Sequence, residues 1–153
     1  MSIYKNEAVL NYSKEDIYKI LMNAAKRDFG RFDFNNVIGK KSVKTIGNYA
    51  NIGNQNQRFQ KVNIEITDFK VNTVYEVTTS NRYVSRYELY QMGEEKTKLK
   101  LTEKILDYGA FKAIEFFISK IFYKNVMKKR FETFNEGLIN ELKIMKKGEG
   151  TKC

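Results

Sequence analysis

From Met127 the apolar positions fall at Met127, Phe131, Phe134, Leu138, Leu142 and Met145, with Lys128, Lys129, Glu132, Glu136 and Lys143 between them. Steps of three and four draw one stripe along a helix, because an α-helix returns to the same face after roughly 3.6 residues. The preceding stretch, Gly109 to Tyr123, is patterned differently. Phe111, Ile114, Ile118 and Phe122 fall on about the opposite side, and Phe116, Phe117 and Ile121 fill the gaps. Either the helix, read as Phe111 to Lys147, bends near Tyr123 or its first turns are apolar nearly all round. That surplus apolar surface is either wrapped by the loop after the first helix, or it meets a partner chain, a lipid surface or a ligand at a cavity mouth. Gly137 interrupts the later stripe at a cost of about 1 kcal/mol against alanine. Close approach to the sheet or to a bound molecule would account for it.

Upstream the period changes from that of a helix to that of strands. Ile3 to Tyr12 reads as a first strand, and Ser13-Lys-Glu-Asp16 as a capping box in which the Ser13 hydroxyl accepts a backbone N–H while Asp16 reaches back. An amphipathic helix follows through Ile17, Tyr18, Ile20, Leu21, Ala24 and Ala25 to about Arg27, and Asp28 to Asn36 reads as loop or a short second helix. Val37 to Ile46 is an irregular strand. Gly47 to Asn56 is a long connection of turn residues, expected to be mobile. Four strands then run over Arg58–Thr67, Lys70–Ser80, Arg82–Met92 and Lys96–Leu106, with hairpin breaks at Asp68-Phe69, Ser80-Asn81 and Gly93-Glu-Glu. The chain has no proline, so these boundaries are soft. The order predicts an α+β fold: a curved antiparallel sheet of about six or seven strands wrapped on a long C-terminal helix, with one or two short helices after the first strand. Residues 1–147 form a single domain and 148–153 a disordered tail. A sheet closed by one helix in this way suggests a container for a ligand.

Strand alternation chooses the inner face. Val62, Ile64 and Ile66 share a side with Gln60; Val71, Thr73, Tyr75 and Val77 oppose Asn72, Val74, Glu76 and Thr78; Tyr83, Ser85, Tyr87 and Leu89 oppose Arg82, Arg86 and Glu88. Leu99, Leu101 and Ile105 oppose Lys98, Lys100 and Lys104, which puts Glu103 on the apolar side. A buried carboxylate without a partner costs several kcal/mol, so Glu103 needs an arginine, a tyrosine hydroxyl, water or a ligand. It is either satisfied near the strand end or lines a cavity. The inward tyrosines either pack with hydroxyls reaching solvent or present donors into a pocket. The candidate cavity set is Tyr75, Tyr83, Ser85, Tyr87, Leu101, Glu103, Phe131, Phe134 and Leu138.

The chain is 153 residues long with a net charge of +10. That charge invites a nucleic-acid reading, but the lysines are spread along the chain in a composition rich in Lys, Asn, Ile, Tyr and Phe, and no specific nucleic-acid partner is expected. Lys124, Lys128, Lys129 and Arg130 are the one dense group, read as a solvated helix face or as a surface for anionic lipid or phosphate. No apolar run is long enough to span a membrane. The start lacks the apolar core of a secretory signal, and the lone Cys153 cannot make an internal disulfide, so a cytoplasmic protein is expected. There is no histidine, which excludes histidine triads and bases and the commonest zinc ligand. No phosphate-cradling glycine loop is present. Neither metal nor cofactor is expected, and any reaction would have to use Glu, Asp, Tyr or Lys.

Three stretches carry a resemblance. Leu10-Asn-Tyr-Ser-Lys-Glu-Asp-Ile-Tyr-Lys-Ile-Leu21, Glu65-Ile-Thr-Asp-Phe-Lys-Val-Asn-Thr-Val-Tyr75 and Gly109 to Arg130, ending Met-Lys-Lys-Arg-Phe131, resemble the START/Bet v1-like helix-grip superfamily. They look like its passage from first strand into first helix, its strand–turn–strand and the lead-in to its final helix. The chain looks most like an uncharacterised bacterial set from low-GC Gram-positive species, and it departs from the common pattern in lacking a proline before the first helix. The resemblance implies an apolar cavity between sheet and C-terminal helix. It does not choose among carriers, cyclases, hydrolases and chaperone co-activators.

Three functions follow as expectations. The leading one is binding of an apolar or amphipathic small molecule, anionic in view of the basic exterior. The alternatives are an interaction module or homodimer through the Phe111–Phe122 surface, and a cyclase- or dehydratase-like enzyme using Glu103 with Tyr75, Tyr83 or Tyr87. Whether the chain is an enzyme stays open, with the balance against it.

Overall fold

The computed structural model describes residues 2–31, 35–47, 59–80, 83–105 and 113–150, with side chains described except at 2, 46–47, 59–60, 113–123 and 149–150. The elements are β1 (Ser2–Leu10), α1 (Lys14–Phe29), β2 (Lys41–Gly47), β3 (Phe59–Lys70), β4 (Val74–Thr79), β5 (Tyr83–Gly93), β6 (Lys96–Ile105) and α2 (Ala113–Gly150). The six strands form one curved antiparallel sheet in the order β1-β6-β5-β4-β3-β2. After β1 the chain crosses through α1 to the far edge, and the strands then return one by one until β6 pairs with β1. This is the helix-grip architecture. No described helix is long and apolar enough to cross a membrane.

Helix α1 starts where Ser13 accepts the Asp16 N–H at 3.2 Å. The second half of the expected capping box is absent: the Asp16 carboxylate is paired instead with Lys146 of α2 at 2.8 Å, a full charge being a stronger partner than a backbone N–H. Gly30 ends the helix at φ 79°, its N–H bonded to the Lys26 carbonyl. A positive φ of this kind suits glycine, which has no Cβ to clash. Among the described residues no second helix precedes β2. Val37 is buried in the turn before it. Helix α2 runs without interruption to Gly150, past the Lys147 end expected from its pattern. Most of the Gly47–Asn56 connection, the Phe111–Phe122 side chains and residues 151–153 lie outside the described residues.

The core lies between the inner face of the sheet and the two helices. Val62, Ile64, Ile66, Leu89, Leu99 and Leu101 meet Ile17, Leu21, Met22, Ala25 and Phe29 of α1 and Phe131, Leu138 and Leu142 of α2. The α2 stripe behaves as its spacing predicts: Leu142 is fully buried, while Lys128, Lys129, Glu132, Glu136 and Lys143 are exposed. Buried Thr97 donates its hydroxyl to the Tyr12 carbonyl at 2.8 Å, which ties the end of β1 to the start of β6.

The expected hairpin break at Asp68-Phe69 is a bulge, and the turn comes later. Pairing steps from Ile66–Val77 to Asp68–Glu76, leaving Thr67 as the extra residue. The insertion reverses the strand's parity. Thr67 and Asp68 both face outward, and Phe69, opposite Tyr75, returns to the core. The turn itself is Val71-Asn72-Thr73, with Asn72 at φ 58°, a backbone region that asparagine tolerates better than most residues.

On the outer face Arg86 bonds Asp68 at 2.7 Å and Glu76 at 3.0 Å, with Glu88 at 3.5 Å, while Thr67 donates to Glu76 at 2.8 Å. The bond from Arg86 holds the Asp68 carboxyl below its ordinary value of 3.8. A carboxylate lowered on folding stabilises above that ordinary value and loses its contribution as pH falls through the folded one. Denaturant unfolding measured from about pH 5 to about pH 2.5 is expected to show a shallower loss of stability for Asp68→Asn than for the wild type. Parallel curves would show that the Arg86–Asp68 bond carries none of the acid sensitivity.

Candidate functional site

Glu103 lies two residues from the end of β6, opposite Tyr4 of β1 and Ser85 of β5. It points into the core, 2% exposed. Its Oε1 accepts a hydrogen bond from the Tyr83 hydroxyl and lies 3.6 Å from Arg130 Nη1 of α2. Arg130 also donates to the Tyr83 oxygen at 2.9 Å, its guanidinium lies 5.6 Å from the Tyr83 ring centre, and Met127 Sδ is 3.4 Å from the hydroxyl. Glu103 Oε2 has no hydrogen-bond partner among the described residues. The partner that Glu103 needs is thus both a tyrosine and an arginine.

Burial is the main cause that raises the Tyr83 hydroxyl above its ordinary range, with Glu103 adding to it and Arg130 opposing. Tyr83 is therefore a neutral hydrogen-bond donor at ordinary pH. Burial likewise raises Tyr75 and Tyr18, and pushes Tyr87 up to about 12 with help from the Glu103 charge. The Tyr18 hydroxyl has no hydrogen-bond partner among the described residues. Tyr75 and Tyr87 stack at 5.9 Å between ring centres, and Tyr87 meets Phe134 of α2 at 5.4 Å and 46°. These rings lead from the sheet to the helix layer.

Phe134 and Arg130 also border a cleft of about 670 Å³ between the helices, lined by Ile20, Leu21, Ala24 and Arg27 of α1 and by Val126, Lys129, Thr133, Gly137, Leu138 and Glu141 of α2. Of the nine candidate residues, Phe134 and Leu138 line this cleft. Tyr83 and Glu103 touch one of its walls through Arg130, and Tyr75 and Tyr87 reach it through Phe134. Leu101 and Phe131 belong to the packed core, and Ser85 faces Glu103 across the β5–β6 pair. The space at this site opens between α1 and α2, whereas the sequence pointed to the gap between sheet and C-terminal helix.

Arg130 is the residue that charge patterning misplaces. Lys124, Lys128 and Lys129 are exposed as a solvated face requires, but Arg130 turns inward. The available signal is its position: three residues after Met127 and four before Phe134, it borders the apolar stripe. Gly137 does not mark a close approach to the sheet either, since among the described residues a Cβ there would meet nothing within 4 Å. It is part of the cleft wall. Among the described residues no group of three or more His, Cys, Asp or Glu side chains could hold a metal ion.

A tyrosine whose folded-state pKa is raised stabilises the fold below the ordinary value of 10, and the contribution is lost as pH climbs above it. In an alkaline absorbance titration of the folded protein, Tyr87→Phe is expected to leave the rise below about pH 11 unchanged. Loss of one tyrosine's amplitude in that range would mean that Tyr87 is not buried as described.

No curated protein matches the chain. Solved structures do, at the level of fold. Protein of unknown function SA2116 from Staphylococcus aureus is 12% identical, with a TM-score of 0.62 over 95% of this chain and 97% of that one. TTHA0849 from Thermus thermophilus is 14% identical, with a TM-score of 0.62 over 94% and 99%. The Zhui aromatase/cyclase from Streptomyces sp. R1128 is 8% identical, with a TM-score of 0.63 over 93% of each chain. Identities this low speak for the fold alone. Residues 1–124, which run from β1 into α2, match a family model in their own right, and the chain belongs to the family described as Domain of unknown function (DUF3284).

Proposed function

We propose that this protein binds an amphipathic small molecule in the cleft between α1 and α2. One observation carries the reading: an opening of about 670 Å³ whose wall combines Ile20, Leu21, Ala24, Phe134 and Leu138 with Arg27, Lys129 and Arg130. Small-molecule sites run from roughly 300 to 1,000 Å³ and are apolar with a few placed polar groups. Gly137 adds to this reading. A helix-interior glycine costs stability that packing does not recover here, because no atom of the described residues lies within 4 Å of where its Cβ would be. An open wall is of use to a ligand. The place of this protein is then that of a cytoplasmic binding protein, akin to proteins of low-GC Gram-positive bacteria such as SA2116.

The enzyme alternative draws on the Glu103–Tyr83 pair. Glu103 is not part of the cleft wall, and Arg130 stands between them. A substrate in the cleft would have to displace Arg130 before reaching the carboxylate, so binding is the better-supported function.

Native mass spectrometry of freshly purified protein, followed by solvent extraction, tests for a retained ligand. Two Gly137 variants separate stability from binding. Gly137→Ala is expected to raise unfolding stability by about 1 kcal/mol through helix propensity alone. Gly137→Leu fills the cleft, and is expected to keep the fold while losing retained ligand and uptake of an apolar fluorescent probe such as anilinonaphthalene sulfonate. Unchanged probe uptake in a folded Gly137→Leu protein would rule this cleft out as the binding site.

A further inference from the structure

Among the described residues, the cleft that the binding proposal rests on carries three cations, Arg27, Lys129 and Arg130, against one carboxylate, Glu141. Arg27 and Glu141 approach to 3.8 Å with both side chains well exposed, so water screens this pair and it opens readily. Lys129 is exposed. Arg130 is different in kind. It borders the cleft, yet its Nη1 is committed inward to Tyr83 and Glu103, the latter buried with one carboxylate oxygen unpartnered among the described residues.

A guanidinium is always charged, and at the cleft wall its field reaches past an inner partner to an oxyanion on the other side. Its positive charge is shared between the two. Glu103 therefore acts at a distance on any anion that enters: it holds Arg130 in place at the wall and also weakens the field the anion feels. We propose, on the basis of the binding function above, that the cleft selects amphiphiles with an anionic head group, with Arg130 as the specificity-determining residue and Glu103 as its buried competitor. Carboxylate and phosphate heads share the required chemistry.

Calorimetric titration with decanoate, decyl phosphate and decanol at neutral pH tests this. The wild type is expected to bind both anions at least about tenfold more tightly than decanol, because a charge a few ångströms away in a partly shielded wall is worth about a factor of ten or more. The tighter of the two anions identifies a fatty-acid-like or a phosphate-headed ligand. Glu103→Gln keeps the side chain's shape and removes its charge, and is expected to tighten both anions severalfold with no change for decanol. Arg130→Gln alone would strand Glu103 and risks failing to fold. The double variant Glu103→Gln/Arg130→Gln removes both charges together, and is expected to fold and to bind anion and alcohol alike. Equal binding of anions and decanol by the wild type would overturn anion selection while leaving the cleft as a binding site. Anion affinity unchanged or weakened in Glu103→Gln would overturn the role of Glu103. Absence of binding by every probe would defeat the binding proposal itself.

Discussion

The apolar stripe of α2 has to be covered, and the inner face of the sheet covers it together with α1. Phe131, Leu138 and Leu142 are buried against Ile64, Ile66, Leu99 and Leu101, with α1 completing the enclosure. Burial of such side chains contributes about 1.5–3 kcal/mol each, and the rest of the molecule is arranged around that contact. It fixes the rotation of α2 about its own axis. Once Leu142 is at the bottom of the core, Met127 and Arg130 are brought over the end of β6, and Val126, Thr133 and Gly137 are turned toward α1. The inner cluster and the cleft are consequences of one helix orientation.

The same requirement explains the bulge in β3. A strand of unbroken alternation that buries Val62, Ile64 and Ile66 would also bury Asp68. The extra residue at Thr67 moves Asp68 outward to Arg86 and returns Phe69 to the core beside Tyr18, at 6.0 Å between rings. A single local irregularity replaces an uncompensated buried charge with an ion pair on the outer face and an aromatic contact on the inner one. Glu103 is the contrasting case. Its strand keeps strict alternation, so its carboxylate does point inward, and Tyr83 and Arg130 compensate it there. Such an arrangement is costly to break and rarely the most stabilising choice for a core, which is one reason to look for a role for it beyond stability.

Much of the architecture is legible along the chain. The Ser13 cap, the strands around Val62–Ile66 and Leu99–Leu101, the hairpin at Gly93-Glu-Glu and the face of α2 that turns inward are local patterns. They depend on residues within a few positions of one another. The bulge was not legible, because Asp68-Phe69 has the composition of a turn and only the pairing with β4 distinguishes the two. The candidate site was legible in part. Alternation picks out Glu103, Tyr83 and Tyr87, since a strand's faces repeat every two residues. It says nothing about Arg130, which sits within a run of lysines and differs from them only in what lies opposite.

The sequence by itself determined which residues prefer burial, in what period, and which chemistries are closed to a chain without histidine. Tertiary structure decided what meets what. The cleft is formed by two helices far apart in the chain, so no local pattern encodes it; it is the space left when both satisfy their apolar faces against the same sheet. Arg130 is drawn inward because a carboxylate from β6 is already buried there, and a buried charge takes the nearest opposite charge that can reach it. Periodicity is a property of one element at a time, whereas clefts and charge pairing are properties of elements packed together.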